Sequence, residues 1–217
     1  MMHERKLSGR QIQLIIGILL GLFLLIYLEV PLIAQTVGGP CEGCEAIYEY
    51  KGRQLSPVDT LPEFGKHPDK MLITGTVYQS DGSTPASDVI VYAYHTNQKG
   101  VYPTRGDEKG WARRHGYLRG WVQTDHDGKF SFYTFKPASY PSRTEPAHVH
   151  LIVKEADTNE YWIDSIEFDD DPLLTSERRK QKRKRGGSGI IRLGSTDHGL
   201  LLARRDIILG RNIPSYR

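Results

Sequence analysis

The sequence predicts an all-β protein: a β-sandwich core of about eight short strands with long functional loops, preceded by an N-terminal signal or anchor segment. Three observations carry that expectation. From residue 71 onward the chain is a series of short runs rich in β-branched and aromatic residues, each closed by Gly, Asp, Asn or Ser. No long stretch keeps a helical period. The first 35 residues stand apart from the rest as a charged start followed by a long apolar run. At 217 residues the chain has room for one domain with a real core plus appendages.

The elements follow in order. Arg5, Lys6 and Arg10 precede an apolar run over 14–28, then Glu29 and a second apolar stretch to Ala34. Residues 1–35 therefore read as a signal peptide or signal-anchor helix, with 12–34 as the anchoring stretch if it is retained. Cleavage and retention are both open, because Ala34 suits a signal peptidase and Leu32 does not. Either way the basic end stays cytoplasmic and the remaining chain is exported, placing it in the periplasm or otherwise outside the inner membrane. Residues 36–70 are rich in Gly, Pro and charge without a sustained period, and read as a linker and arm. The arm carries Cys41 and Cys44, for which a local disulfide is expected in an oxidising compartment. Residues 71–217 form the main domain. Its strands are expected at 72–79, 88–95, 120–124, 129–135, 147–154, 161–168, 189–193 and 201–209. The turn Asp125-His126-Asp127-Gly128 and the alternation of Phe130, Phe132 and Thr134 frame the clearest of them. The interruption at 99–118 is too long for a hairpin and is a candidate functional loop.

A net charge of only +3 argues against a nucleic-acid partner. The basic run 178–185 lacks interleaved aromatics and is flanked by Gly-Gly-Ser-Gly, so a solvated loop is expected. Twelve tyrosines against six phenylalanines is the more informative bias, since a phenolate can ligate a metal.

The sharpest local feature is Pro146-Ala147-His148-Val149-His150 opening a strand. Strand alternation puts both imidazoles on one face with Cα atoms about 6.5 Å apart, close enough to converge on one metal ion. On that evidence zinc and copper are as plausible as iron. Further motifs surround the pair: Ile73-Thr74-Gly75-Thr76-Val77, Tyr94-His95-Thr96-Asn97, Gly100-Val101-Tyr102, Arg119-Gly120-Trp121-Val122-Gln123-Thr124-Asp125, Thr134-Phe135-Lys136-Pro137, Tyr140-Pro141, Asp171-Pro172 and Arg205-Asp206-Ile207-Ile208-Leu209. In this ordered set the chain resembles the intradiol ring-cleavage dioxygenases, the family of catechol and protocatechuate dioxygenases. The likeness covers roughly 71–172 and, more thinly, 201–210.

The resemblance implies a non-haem Fe(III) cofactor held by Tyr102, Tyr140, His148 and His150. It also implies catechol-type substrates and O2 as partners, and cleavage between the two oxygenated carbons to a muconate-type diacid. Tyr140 is the tyrosinate expected to leave the metal and take a substrate proton. Two positions depart from the family pattern. Glu145 stands where an arginine usually helps to stabilise substrate charge, and Ser165 where a glutamine is usual. Arg143, and from the long loop Arg113 or Arg114, are the candidate replacements; Tyr140, Arg143 and Glu145 form the expected catalytic set. Trp121, Tyr133 and Trp162 are expected mainly as packing residues. The alternative is an exported binding module of the same fold with impaired catalysis, and a third reading is a plain adhesion or carbohydrate-binding sandwich. The identity of the catechol and the oligomeric state are not legible.

Overall fold

The computed structural model describes residues 36–216, together with Arg10 and Gln13. The expected signal or anchor segment lies outside the described residues.

Among the described residues eleven strands build two sheets, with few helical residues. The first sheet runs β1 (Val58–Thr60), β5 (Lys129–Phe135), β2 (Lys70–Tyr78), β10 (Leu201–Arg204) and β9 (Gly194–Ser195), with β11 (Ile207–Ile208) also pairing with β2. The second runs β4 (Arg119–Gln123), β3 (Ile90–His95), β6 (His148–Lys154), β7 (Tyr161–Phe168) and β8 (Ile190–Ile191). β2 and β5 pair antiparallel, as do β3 with β4 and β6, β6 with β7, and β9 with β10; β1 joins β5, β8 joins β7, and β10 and β11 join β2 in parallel. Within residues 36–216 there are two short α-helices, α1 (Ala112–His115) and α2 (Ser176–Gln181).

The sheets share one hydrophobic cluster. Met71, Ile73, Phe130 and Phe132 enter it from the first sheet, and Val91, Val122, Val149, Leu151, Val153 and Ile163 from the second. The alternate residues of the second sheet are buried as well. Tyr92, Trp121 and Ile152 form a second cluster with Cys44, Ala46 and Ile47. With apolar cover on both faces, the middles of β3 (Val91, Tyr92, Ala93) and β6 (Leu151, Ile152, Val153) are apolar at consecutive positions rather than alternating.

That second cluster changes the reading of residues 36–70. Instead of a free linker, they supply a 3-10 turn (Cys44–Tyr48) that packs on the outer face of the second sheet, and β1 at the edge of the first. Short turns that bury three small or aliphatic side chains leave no periodic signature in the sequence. The Cys41–Cys44 disulfide is formed and closes the start of this turn.

Strand count also exceeds expectation. The run at 201–209 is broken into β10 and β11 by Arg205 and Asp206, and Asp206 Oδ1 accepts from the Thr76 amide at 2.9 Å. Opposite the break, a Cβ on Gly75 would lie 2.0 Å from the Arg205 carbonyl, so only glycine lets the backbones close.

The basic run 178–185 departs most from its expected solvated loop. Thr175 caps α2 by accepting from the Arg178 amide at 3.3 Å, Arg179 pairs with Asp169 at 2.6 Å, and Lys182 pairs with Glu167. Arg185 is only 2% exposed: it stacks 3.5 Å from the Trp162 ring centroid and donates to the Gly38 and Trp162 carbonyls. Asp164, Glu167 and Asp169 thus meet Lys184, Lys182 and Arg179 in space, which explains why the charges do not all stay hydrated. Arg185→Ala leaves two carbonyls without their charged donor. It is expected to cost about 3 kcal/mol, read as a fall of roughly 6–12 °C in the thermal midpoint.

Candidate metal centre

β6 sets the geometry. Val149 and Leu151 face the shared core, so His148 and His150 project from the opposite face of the second sheet. Their Nε2 atoms lie 3.0 Å apart with the rings nearly perpendicular, at 88°. Tyr102, on the long loop after β3, reaches His150 Nε2 with its hydroxyl at 2.8 Å. Tyr140, in the connection between β5 and β6, lies 3.2 Å from His148 Nε2 and 3.5 Å from His150 Nε2. The two hydroxyls are 2.6 Å apart. All four expected ligands thus bring their donor atoms to one point.

The surroundings hold the imidazoles in place. His148 Nδ1 donates to the Pro146 carbonyl at 2.7 Å, which leaves the Nε2 lone pair aimed at the cluster. His150 Nδ1 lies 3.4 Å from Ser165 Oγ. Tyr94, the cross-strand partner of His150, stacks on its ring at 4.5 Å and on His115 at 3.9 Å, while Tyr92 meets His115 Nδ1 at 3.0 Å. This aromatic column was not expected as part of the site. Its signal was present in the alternation of Tyr92 and Tyr94 in β3, but the β3–β6 register needed to place it was not.

Electrostatics favour neutral phenols in the protein alone. Burial pushes Tyr102 far above the usual phenol range, aided by its hydrogen bond to Tyr140 and by the charge of Glu145. Burial also raises Tyr140, with Glu145 adding to the shift, although the hydrogen bond from Tyr102 works the other way. His150 is pushed well below its ordinary value by burial and then by His148. Neutral imidazoles and phenols that ionise only beside a strong positive charge fit a hard trivalent cation. Among the described residues no group of three or more His, Cys, Asp or Glu is placed to hold a metal; the cluster joins two phenols to two imidazoles.

The remaining expected residues fall in different places. Glu145 is exposed and lines a cavity of about 280 Å³ with His148, His150 and Ser165. Arg143 is exposed, has a positive φ of 52°, and is not among the residues lining that cavity. Arg113 donates to the Glu108 carbonyl and Arg114 pairs with Glu42, so neither reaches the cluster. Trp121 packs in the outer cluster and Tyr133 edges against Phe64, whereas Trp162 lines the cavity.

A mostly β protein that gathers two phenols and two imidazoles on one sheet face defines a candidate oxygen- and nitrogen-ligated metal centre. The family model for Dioxygenase matches residues 53–185. The chain belongs to the intradiol ring-cleavage dioxygenase family. It is 31% identical over 136 residues to catechol 1,2-dioxygenase 1 of Acinetobacter lwoffii, covering 55% of this chain and 42% of the relative. It is 26% identical over 112 residues to the protocatechuate 3,4-dioxygenase beta chain of Burkholderia cepacia, covering 49% and 47%. The matches therefore span less than half the length of these relatives.

Solved structures share the fold. The dioxygenase domain of a dioxygenase–carbohydrate-binding protein fusion from Streptomyces sp. SirexAA-E aligns with a TM-score of 0.51 at 16% identity, covering 73% of this chain and 94% of that one. Wild-type catechol 1,2-dioxygenase of Acinetobacter radioresistens aligns at 0.52 and 18% identity, covering 80% and 61%.

Proposed function

We propose that this chain is an exported non-haem Fe(III) intradiol dioxygenase that cleaves a catechol-type ring with O2 to a muconate-type diacid. The observation that carries the reading is the convergence of the Tyr102 and Tyr140 hydroxyls with His148 and His150 Nε2, at separations of 2.6–3.5 Å. The Cys41–Cys44 disulfide supports the exported location.

When bound, the ferric ion supplies a Lewis acid that ionises the phenols and withdraws electron density from a catecholate. The protein's own residues do the rest. Pro146 and Ser165 fix the imidazoles from behind, and the Tyr94 ring fixes the plane of His150. Burial raises the Tyr140 phenol above its ordinary range, so its ionised oxygen is a stronger proton acceptor than a free phenolate and is suited to take a proton from a substrate hydroxyl. Glu145 opposes accumulation of negative charge in the adjoining cavity, which selects against catechols carrying a further carboxylate.

The test is an optical spectrum of the iron-loaded protein before and after catechol is added without oxygen. A visible band that moves to longer wavelength is expected, followed by oxygen uptake when air is admitted. Chelation should bleach the band and stop the uptake together. A protein that stays colourless after iron loading removes the reading. A coloured protein that turns over no member of a catechol panel leaves the binding-module alternative.

A further inference from the structure

Glu145 leaves the cavity beside the cluster without a cation at the position where the family usually has one, and Arg143 does not fill the gap. The structure brings a positive charge from elsewhere in the chain. We propose that Lys182, held by the buried carboxylate of Glu167, supplies the charge that faces a catecholate bound at the Tyr–His cluster. This assignment rests on the dioxygenase reading of the same site.

Register places it there. Glu167 in β7 is the cross-strand partner of His148 in β6, so the two side chains leave the sheet on the same face. Glu167 is 6% exposed; its Oε1 engages Lys182 Nζ, and its Oε2 has no hydrogen-bond partner among the described residues. A buried carboxylate in that state draws a cation strongly. Lys182 answers from the C-terminal end of α2 and keeps 27% of its side chain exposed, within the lining of the cavity that also holds His148 and His150. An ammonium has three donors, and the Glu167 contact occupies one.

The loop that carries Lys182 is anchored on both sides. Thr175 caps α2 upstream, and downstream the Lys184 amide donates to Asp164 Oδ2 at 2.8 Å while Arg185 is buried against Trp162. The ammonium is thus pre-positioned rather than left on a free tail. Arg183 also lines the cavity, but its guanidinium lies over the Trp162 ring, 5.6 Å from the centroid, on an exposed residue. Without Lys182 the cavity wall would present Glu145, Asp164 and Glu167 against that single arginine. Such a wall would repel the ionised form of any catechol.

The experiment compares the full-length iron-loaded protein with Lys182→Met, Lys182→Arg and Glu167→Gln. Two quantities are read: calorimetric catechol affinity under nitrogen, and kcat/KM for catechol in air. Thermal midpoints confirm that each variant is folded. Lys182→Met should weaken catechol binding about tenfold, the contribution of one partly screened charge, and Lys182→Arg should recover most of that loss. Glu167→Gln should fall between them by releasing the ammonium; if it fails to fold, the two Lys182 variants carry the test. A methionine variant that binds catechol as the parent does overturns the assignment, and so does an arginine variant no better than methionine. Parent protein that binds catechol through Lys182 but never opens the ring overturns the dioxygenase reading and leaves this one standing. Parent protein that binds no catechol overturns both.

Discussion

Tyr102→Phe is expected to abolish the visible band and to lower ring cleavage at least about 100-fold, more than the loss typical of a group that only supports a ligand. The Tyr102 hydroxyl makes the two shortest contacts of the cluster, 2.6 Å to the Tyr140 hydroxyl and 2.8 Å to His150 Nε2. Its loss removes one oxygen donor and also leaves Tyr140 without the hydrogen bond that eases its ionisation. The substitution keeps the ring, so the tilted contact with Tyr94, at 5.8 Å between centroids, survives. Iron content per chain, the optical spectrum and kcat/KM should therefore fall together while the thermal midpoint of the metal-free protein barely moves. A phenylalanine variant that retains colour and turnover would show that Tyr102 is only a packing residue.

Gly100→Ala should be nearly as damaging, although residue 100 touches none of the four donor atoms. Gly100 has a φ of +72°, and a Cβ there would lie 2.0 Å from the Ser139 carbonyl oxygen and 3.2 Å from Pro141 Cδ. Those contacts lie on either side of Tyr140, and Gly100 is two residues from Tyr102, so this glycine is where the two phenol-bearing loops press together. Asn97 and Thr96 hold the same junction: Asn97 Oδ1 accepts from the Lys99 amide at 2.8 Å, and Thr96 Oγ1 donates to the Ala138 carbonyl at 2.6 Å. A methyl group must push the loops apart. A displacement of roughly 1 Å at a reacting site costs about 100-fold in rate, and that is the expected loss in kcat/KM. Gly106→Ala is the control. Its φ is +100° but nothing lies within 4 Å of a Cβ there, so it bears backbone strain without the clash. Equal losses in the two variants would mean that strain, not loop contact, is responsible.

Half of the ligand set was legible because it depends on short-range rules. His148 and His150 share a face through strand alternation alone, and the glycines and aspartates that close each run mark the β character of the chain. Tyr102 and Tyr140 were legible only through the resemblance. Nothing in their local sequence separates them from Tyr94, which stacks on His150, or from Tyr161, which hydrogen-bonds Glu155 at 2.6 Å. The basic run was misread because charge pattern says how a segment behaves in water, not which carboxylates a fold brings beside it. Arg185 ended buried on Trp162 and Lys182 at the cavity for that reason.

By itself the sequence determined the β class, most strand positions and the His-x-His pair, since each follows from residue spacings within a few positions. Only the tertiary structure decided that the turn at Cys44–Tyr48 packs on the second sheet, that Arg143 stays outside, and that Glu167 and Lys182 meet beside His148. Those outcomes depend on cross-strand register and on contacts between residues far apart in the chain. Such contacts form through the burial of shared surface and the pairing of buried charge, which no local pattern records.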